Sequence, residues 1–341
     1  MLAYDYTFSS PPAKQFQTRR IGARMRYGDL VSVIVPLHNR AHLLRRSVGS
    51  LISQSYRNLE ILLIDDCSTD DPAAVVAALD DPRVKLIRRE RNGGASAARN
   101  TGIALAKGGM IAFHDSDDIC VFDKIEKQVE ALTALPEEYI GVYTVALFYG
   151  QAEEADYAEI TSHLRPTPGS SPLSGDMYRR TVAGNAMNLP TMLLRRSAVE
   201  AAGGLDERLG NNNDWDLALR LTRLGKFHFI PEPLYLVPSP IRAAGNAGRI
   251  SKSQKFHAKS FAFVTGKLRR GGERSPELAG HYSTAGGLLL RERRPRFARR
   301  YLRAALGITP LHMRSLRLYA MSFLPGLYPA LRRIRSRVSP R

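Results

Sequence analysis

Apolar runs recur at near-regular intervals along the first third of the chain, each followed by residues of helical spacing. Val31 to Pro36 (VSVIVP) is almost wholly apolar, as a strand covered on both faces must be. Leu44, Val48, Leu51 and Ile52 then fall at helical intervals, and Leu59 to Ile64 (LEILLI) is a second strand running into Asp65 and Asp66. Asp70 to Leu79 suits a helix, Val84 to Ile87 a third strand, and Ala95 to Lys107 another helix. Met110 to Phe113 makes a fourth strand, closing on His114, Asp115, Ser116, Asp117 and Asp118. This alternation predicts an α/β fold, Rossmann-like, with a mostly parallel sheet and helices on both faces. Ligands are then expected beyond the carboxyl ends of the strands, where the polar residues cluster.

Phe122 to Leu135 reads as an amphipathic helix and Ile140 to Tyr149 as a strand. Residues 150–188 are polar and poorly periodic, so a variable loop over the cleft is expected there. Order returns with Thr191 to Leu194, a helix from Ser197, a turn at Gly203-Gly204, a helix from about Asp214 to Leu224 and a short strand Phe227 to Ile230. The division expected is a loosely ordered extension over 1–28, an α/β domain over 29–250 and an Arg-rich helical region over 251–341.

Charge is distributed unevenly. The 341-residue chain has a formal net charge of +18, and from Arg291 onward fourteen arginines face the single acid Glu292, a balance of +13. Such a stretch requires an acidic partner: lipid head groups, nucleic acid or a phosphorylated substrate. No recognised nucleic-acid module accompanies it. Within 311–335, the apolar run Leu318 to Leu331 is too short to span a bilayer and is broken by Pro325 and Pro329. Flanking arginines suit it to the head-group region of an anionic membrane. Cys67 and Cys120 are too few for a disulfide framework, and Met1 to Gly28 has no signal-type apolar run. The expected location is cytoplasmic, with the tail peripheral on the cytoplasmic membrane face.

Four segments carry chemistry. Asp115 and Asp117, read as alternate residues of an extended segment, can converge on one point. Two convergent carboxylates repel unless a cation intervenes, and Mg²⁺ or Mn²⁺ suits oxygen ligands completed by substrate phosphates. The plain alternative is a solvated turn with a helix cap. Asp65-Asp66 ends a strand at the same predicted edge. Asn92-Gly93-Gly94-Ala95-Ser96-Ala97-Ala98-Arg99-Asn100-Thr101-Gly102 leads from a glycine loop into a helix, whose N-terminus favours anions and whose Arg99 can pair with a phosphate or carboxylate. Asp214 opens a later helix and borders the apolar face formed by Leu217, Ala218 and Leu221, whereas Asp216 faces Arg220. Asp214 is read as a general base or as a cap; a helix N-terminus lowers its pKa.

In order and spacing, these segments together resemble glycosyltransferase family 2, inverting enzymes of the GT-A fold, over roughly residues 30–240. Val31 to Asn39, Leu51 to Tyr56, Leu59 to Asp66 with Ser68-Thr69-Asp70, Asn92 to Gly102, Asp115 to Asp118, Gly203 to Asp206 and Asn213 to Leu221 carry the likeness. The resemblance implies transfer of a sugar from a nucleotide-diphosphate donor to an acceptor hydroxyl, in polysaccharide or glycoconjugate synthesis, on a carbohydrate or lipid-linked acceptor. It places Pro36, His38, Asn39 and Arg40 beside the nucleotide, Asp66 on the base, and Arg99 near base and phosphate. It makes Asp115, Ser116 and Asp117 the diphosphate motif, with Asp115 and Asp117 on the divalent metal, and Asp214 the catalytic base. The chain departs from the family in having His38 where an aromatic residue is common, Arg40 where an acid is common, and Asn213 where Glu precedes the base.

Two other readings use the same residues. A nucleotidyltransferase would carry a Gly- and Lys-rich phosphate loop after the first strand, which Pro36-Leu37-His38-Asn39 is not. A non-catalytic nucleotide-sugar-binding protein has no need to keep Asp66, Asp115, Asp117 and Asp214 together.

Overall fold

The computed structural model describes residues 26–151, 162–166, 173–240 and 254–323. The extension up to residue 25 and the expected boundary near 250 lie outside the described residues. Strands β1 (Val31–Leu37), β2 (Leu59–Asp65), β3 (Val84–Arg88) and β4 (Met110–Phe113) alternate with helices α1 (Ala41–Ile52), α2 (Pro72–Ala77) and α3 (Gly94–Leu105). They pair in parallel in the order β3-β2-β1-β4. Strand residues sort by parity: Val31, Val33, Val35 and Leu37 join one apolar cluster with Leu44, Val48 and Leu51 of α1. Ile34 joins a second cluster with Ala98 of α3. Both faces are covered, so these strands are apolar throughout. Gly102 of α3 lies so close to Ile34 that any Cβ would collide with that side chain.

Beyond β4 the sheet becomes mixed. The chain continues through β5 (Ile119–Cys120), α4 (Lys124–Ala134), β6 (Tyr139–Gln151), β7 (Ser162–Arg165), α5 (Tyr178–Ala183), β8 (Met192–Arg195), α6 (Arg196–Ala201), α7 (Asn213–Leu221) and β9 (Lys226–Pro240). β8 inserts antiparallel between β4 and β6, β7 pairs antiparallel with β6, and β9 runs parallel to β6 but antiparallel to β5. The parallel half follows the sequence expectation; the second half does not, because an apolar run shows burial and not strand direction. β9 is also longer than the run Phe227 to Ile230. Its partner advances from Thr144 to Ala146 while β9 advances from Ile230 to Tyr235, so Pro231 and Pro233 fall in a bulge. A bulge is where a strand tolerates residues lacking an N–H.

The segment expected as a loop over 150–188 is partly structured. β7 and α5 lie within it, and Leu173, Met177, Val182 and Met187 are buried. Its apolar residues are irregularly spaced, which hides them from any periodic reading.

The C-terminal region forms α8 (Gln254–Arg270), α9 (Pro276–Arg291), α10 (Pro295–Ile308) and α11 (Met313–Met321). Ser275 caps α9, its side chain accepting from the Leu278 N–H, with Pro276 opening the first turn. These helices are joined to the α/β part by a third apolar cluster. Trp215 and Leu219 of α7 meet Val264 and Leu268 of α8, Leu278 and Tyr282 of α9, and Ala305 of α10. A Cβ on Gly286 of α9 would stand 2.5 Å from Leu302 Cγ, so glycine permits the close approach of α10. Leu318 and Tyr319 of α11 pack on the neighbouring cluster of Leu289, Leu290, Ala298 and Leu302. The front of the 311–335 segment therefore folds back on the protein, and 324–335 lie outside the described residues. Among the described residues, no helix is long and apolar enough to cross a membrane.

Candidate active site

The loops after β1, β2 and β4 and the first turns of α3 and α7 converge beyond the carboxyl ends of the parallel strands. Helix α3 organises them. Asp66, buried after β2, accepts from the backbone N–H groups of Gly93 (3.0 Å) and Gly94 (2.6 Å) and pairs with Arg89. A carboxylate on the N-terminal amides of a helix satisfies donors that have no intrahelical partner. Gly94 sits at φ 80°, a left-handed conformation that favours glycine. One turn on, Ser96 Oγ accepts from Asn213 Nδ2 at 2.8 Å, tying α7 to α3. Arg99, buried, donates through Nη2 to Asp115 Oδ1 at 2.6 Å. Asn100 both donates to the Leu205 carbonyl and accepts from the Leu205 N–H, at 2.9 and 2.8 Å.

Asp115 to Asp118 is a turn and not an extended segment: the Asp118 N–H donates to the Asp115 carbonyl at 3.1 Å. Asp at the first position with Ser and Asp following is a common turn composition, which outweighs the alternation assumed from sequence. Ser116 is buried in this turn, while Asp115 and Asp117 are partly exposed. Asp117 lies 3.7 Å from Arg40, and its carbonyl accepts from Arg46. Each motif carboxylate thus faces an arginine. Beneath the turn, the Asp115 N–H donates to Tyr235 Oη (3.1 Å), and buried His114 contacts Ser47 Oγ (2.9 Å) and Cys120 Sγ (3.4 Å). Burial, reinforced by the nearby Lys124 ammonium, pushes the His114 pKa down to about 3. His114 is therefore a neutral structural group.

The loop after β1 carries His38 and Asn39, both exposed. Asn39 takes a left-handed φ of 52° and is clamped to the loop after β2: its N–H donates to Ser68 Oγ, and its Oδ1 accepts from the Thr69 N–H. Asn92 Nδ2 lies 3.4 Å from His38 Nδ1 and donates to the Asp66 carbonyl. Pro36 belongs to β1 and not to this loop. β4 pairs with β1 only as far as Ile34, so beyond it the absent proline N–H breaks no ladder bond on that side.

Asp214 is the second residue of α7, behind Asn212 in a left-handed conformation at the cap position. Its Oδ2 accepts from Asn185 Nδ2 at 2.7 Å and its Oδ1 from the Trp215 N–H at 2.8 Å. Burial raises its pKa; the two hydrogen bonds and the Arg99 charge oppose this, and the Asp115 charge reinforces it. The net shift is upward, against the lowering expected from the helix terminus alone. Asp216 lies on another face, paired with Arg220 (2.8 Å) and Lys267 (2.6 Å). Trp215 is buried, donating to the Thr181 carbonyl and packing against Phe261 and His281, so it has no surface for an acceptor.

The structure thus gathers His38, Asn39, Arg40, Asp66, Arg99, Asp115, Asp117 and Asp214 about α3. Arg89, Asn185 and Tyr235 join them without having been singled out in the sequence. Asn185 lies in the aperiodic segment and Tyr235 beyond two prolines, where no local pattern marks either.

A mixed sheet of this order, with acids and a glycine-capped helix beyond its parallel strands, is a GT-A type of fold. Residues 32–197, just under half of the chain, match the model of the family described as Glycosyl transferase family 2. It is 42% identical over 103 residues to the Escherichia coli UDP-Glc:alpha-D-GlcNAc-diphosphoundecaprenol beta-1,3-glucosyltransferase WfgD, covering 30% of this chain and 41% of that protein. It is 40% identical over 104 residues to the succinoglycan biosynthesis protein ExoO of Rhizobium meliloti, covering 30% of each. The matched segment is therefore well under half the length of either relative. Among solved structures, TarS of S. aureus in complex with UDP-GlcNAc superposes with a TM-score of 0.57 at 15% identity, over 86% of this chain and 90% of that one. The mannosyltransferase PcManGT from Pyrobaculum calidifontis, in complex with GDP-Man and Mn²⁺, gives 0.54 at 20% identity, over 88% and 82%. At such identities the likeness defines the GT-A fold alone, and it extends over most of the chain.

Proposed function

We propose that the chain transfers a sugar from a nucleotide-diphosphate donor to an acceptor hydroxyl with inversion, in polysaccharide or glycoconjugate synthesis. The observation that carries this reading is α3, which ties the base-side acid Asp66, the motif acid Asp115 through Arg99, and the Asp214 helix through Ser96 into one cleft. WfgD's name specifies a diphosphoundecaprenol-linked acceptor, which supports a lipid-linked acceptor here.

The donor base would lie beside His38 and Asn39, with its N–H taking the place of Arg89 on Asp66. The diphosphate would meet Arg99 and Arg40, whose guanidinium forks match phosphate oxygens. Among the described residues, no group of three or more metal-binding side chains is preassembled. Asp115 and Asp117, partly exposed and paired with arginines through one oxygen each, fit a Mg²⁺ or Mn²⁺ ion whose remaining ligands come from the diphosphate and water. Bound there, the ion would act as a Lewis acid that neutralises charge on the departing diphosphate. Asp214 would take the acceptor proton; its raised pKa makes it a stronger base than an exposed carboxylate, and Asn185 fixes its orientation.

Turnover of a nucleotide-sugar panel with Mn²⁺, compared between wild type and Asp214→Asn, tests the reading. The variant should lose at least about a hundredfold in turnover with donor affinity retained. Loss of donor affinity with turnover intact would make Asp214 a structural residue.

A further inference from the structure

Between the end of α8, the turn that follows it and the outer face of α10 lies an open cavity of about 1140 Å³. Arg269, Arg274, Arg296, Arg299, Arg300 and Arg303 line it, against one carboxylate, Glu273. That carboxylate is engaged by Tyr178 Oη (3.2 Å) and the Ser275 N–H (3.0 Å). Arg303 Nε donates to Tyr319 Oη at 2.7 Å, and the Arg299 guanidinium lies 4.7 Å from the centre of the Phe323 ring. A phenol hydroxyl and a ring face hold these cations in position without neutralising them. Neither α10 nor α11 contains an acidic residue, so neither helix supplies the missing charge. An anionic molecule would complete the charge balance of this groove.

Guanidinium groups at this density match phosphate oxygens. Exposed apolar side chains on and around α10 and α11 indicate what carries the phosphate. Phe323, lining the cavity, is 54% exposed; Phe297 is 58%, Leu311 83% and Met313 65% exposed. On α10, Ala298, Leu302 and Ala305 face inward, while Arg296, Arg299, Arg300 and Arg303 share the opposite face. Phe297 stands about 100° round the helix from Arg296, on the side of the cavity-lining Ala304. A small soluble phosphate compound has no use for exposed aromatic and aliphatic side chains beside its site. A lipid headgroup, with acyl chains behind it, does.

We propose that this groove docks phosphate headgroups of anionic lipids, with Phe297, Leu311, Met313 and Phe323 at the boundary of the acyl chains. This moves the membrane contact expected of residues 311–335 onto the folded helices α8 to α11. It stands independently of sugar transfer, since the groove lies beyond the Trp215 packing layer from the α3 cleft.

The test is co-sedimentation of the full chain with vesicles of phosphatidylglycerol and phosphatidylcholine at low salt. Wild type should bind the mixed vesicles and not phosphatidylcholine alone. The combined variant Arg274→Gln, Arg296→Gln, Arg300→Gln should bind about a hundredfold more weakly, as three lost surface cations predict. Phe297→Ser with Met313→Ser, which leaves the charge unchanged, should weaken binding several-fold. Vesicle affinity unchanged in the arginine variant overturns the proposal. So does micromolar binding of inorganic pyrophosphate in the groove that releases the chain from vesicles, since the ligand is then soluble. Donor hydrolysis, read on the same samples, should match wild type in every variant; its absence from wild type as well refutes the sugar-transfer reading and leaves the docking result intact.

Discussion

Two charged regions of this molecule are built in opposite ways. In the α3 cleft the acids assigned to the donor side already have cations: Arg89 on Asp66, Arg99 on Asp115, Arg40 on Asp117. In the α10 groove six arginines share one carboxylate, which is itself engaged elsewhere. A compensated site is preorganised: its charges are held in place before any ligand arrives, and a ligand exchanges one partner for another. A surface with excess positive charge stores repulsion that a bound anion relieves, so its occupancy depends strongly on salt. The contrast is the one expected between the proposed transfer site and the proposed docking surface.

The comparison is most severely tested at the joint between the two regions. Trp215 belongs to the Asp214 helix and packs into the C-terminal helices, so Trp215→Ala should cost about 3–5 kcal/mol. Urea unfolding should remain a single transition. Two separated transitions would show that cleft and groove belong to independent units. Within the cleft, Arg99→Ala leaves Asp115 without its buried partner, and donor KM should rise by about ten- to a hundredfold, the scale of a lost charge-assisted hydrogen bond. An unchanged KM would remove Arg99 from the donor site.

Acidity gives a smaller effect with a definite sign. Folding raises the pKa of Asp214, so the base is lost as pH falls through that raised value, and the acidic limb of turnover should lie above the ordinary aspartate range. The same shift means that the ionised carboxylate opposes folding at neutral pH and that its penalty fades as pH falls below the folded value. Asp214→Asn should therefore unfold at the same midpoint as wild type or a higher one. Asn185→Ala removes a hydrogen bond that favours the ionised form, so it should move the limb further up. A limb that stays fixed would show that Asn185 does not tune the base.

Much of this arrangement was readable in the chain itself. The apolar runs β1 to β4, with acids and glycines at their ends, determined the parallel half of the sheet and the edge on which the site lies, because burial on two faces demands unbroken apolar strands. The glycine motif determined that α3 would start with exposed amides and pack closely, since Gly94 and Gly102 tolerate what a side chain would not. Tertiary structure decided the rest. β8 runs antiparallel beside β4, Asp115 to Asp118 turns back on itself, and Asn185 reaches Asp214 from a segment with no period. The upward pKa of Asp214 likewise comes from burial, which no helix position encodes. The arginine count of the C-terminal region was plain in the sequence, but its gathering of six guanidinia about one cavity was not. Local patterns record which residues are buried and where the backbone turns; contacts between distant segments depend on how whole elements pack, and no residue's neighbours in sequence carry that information.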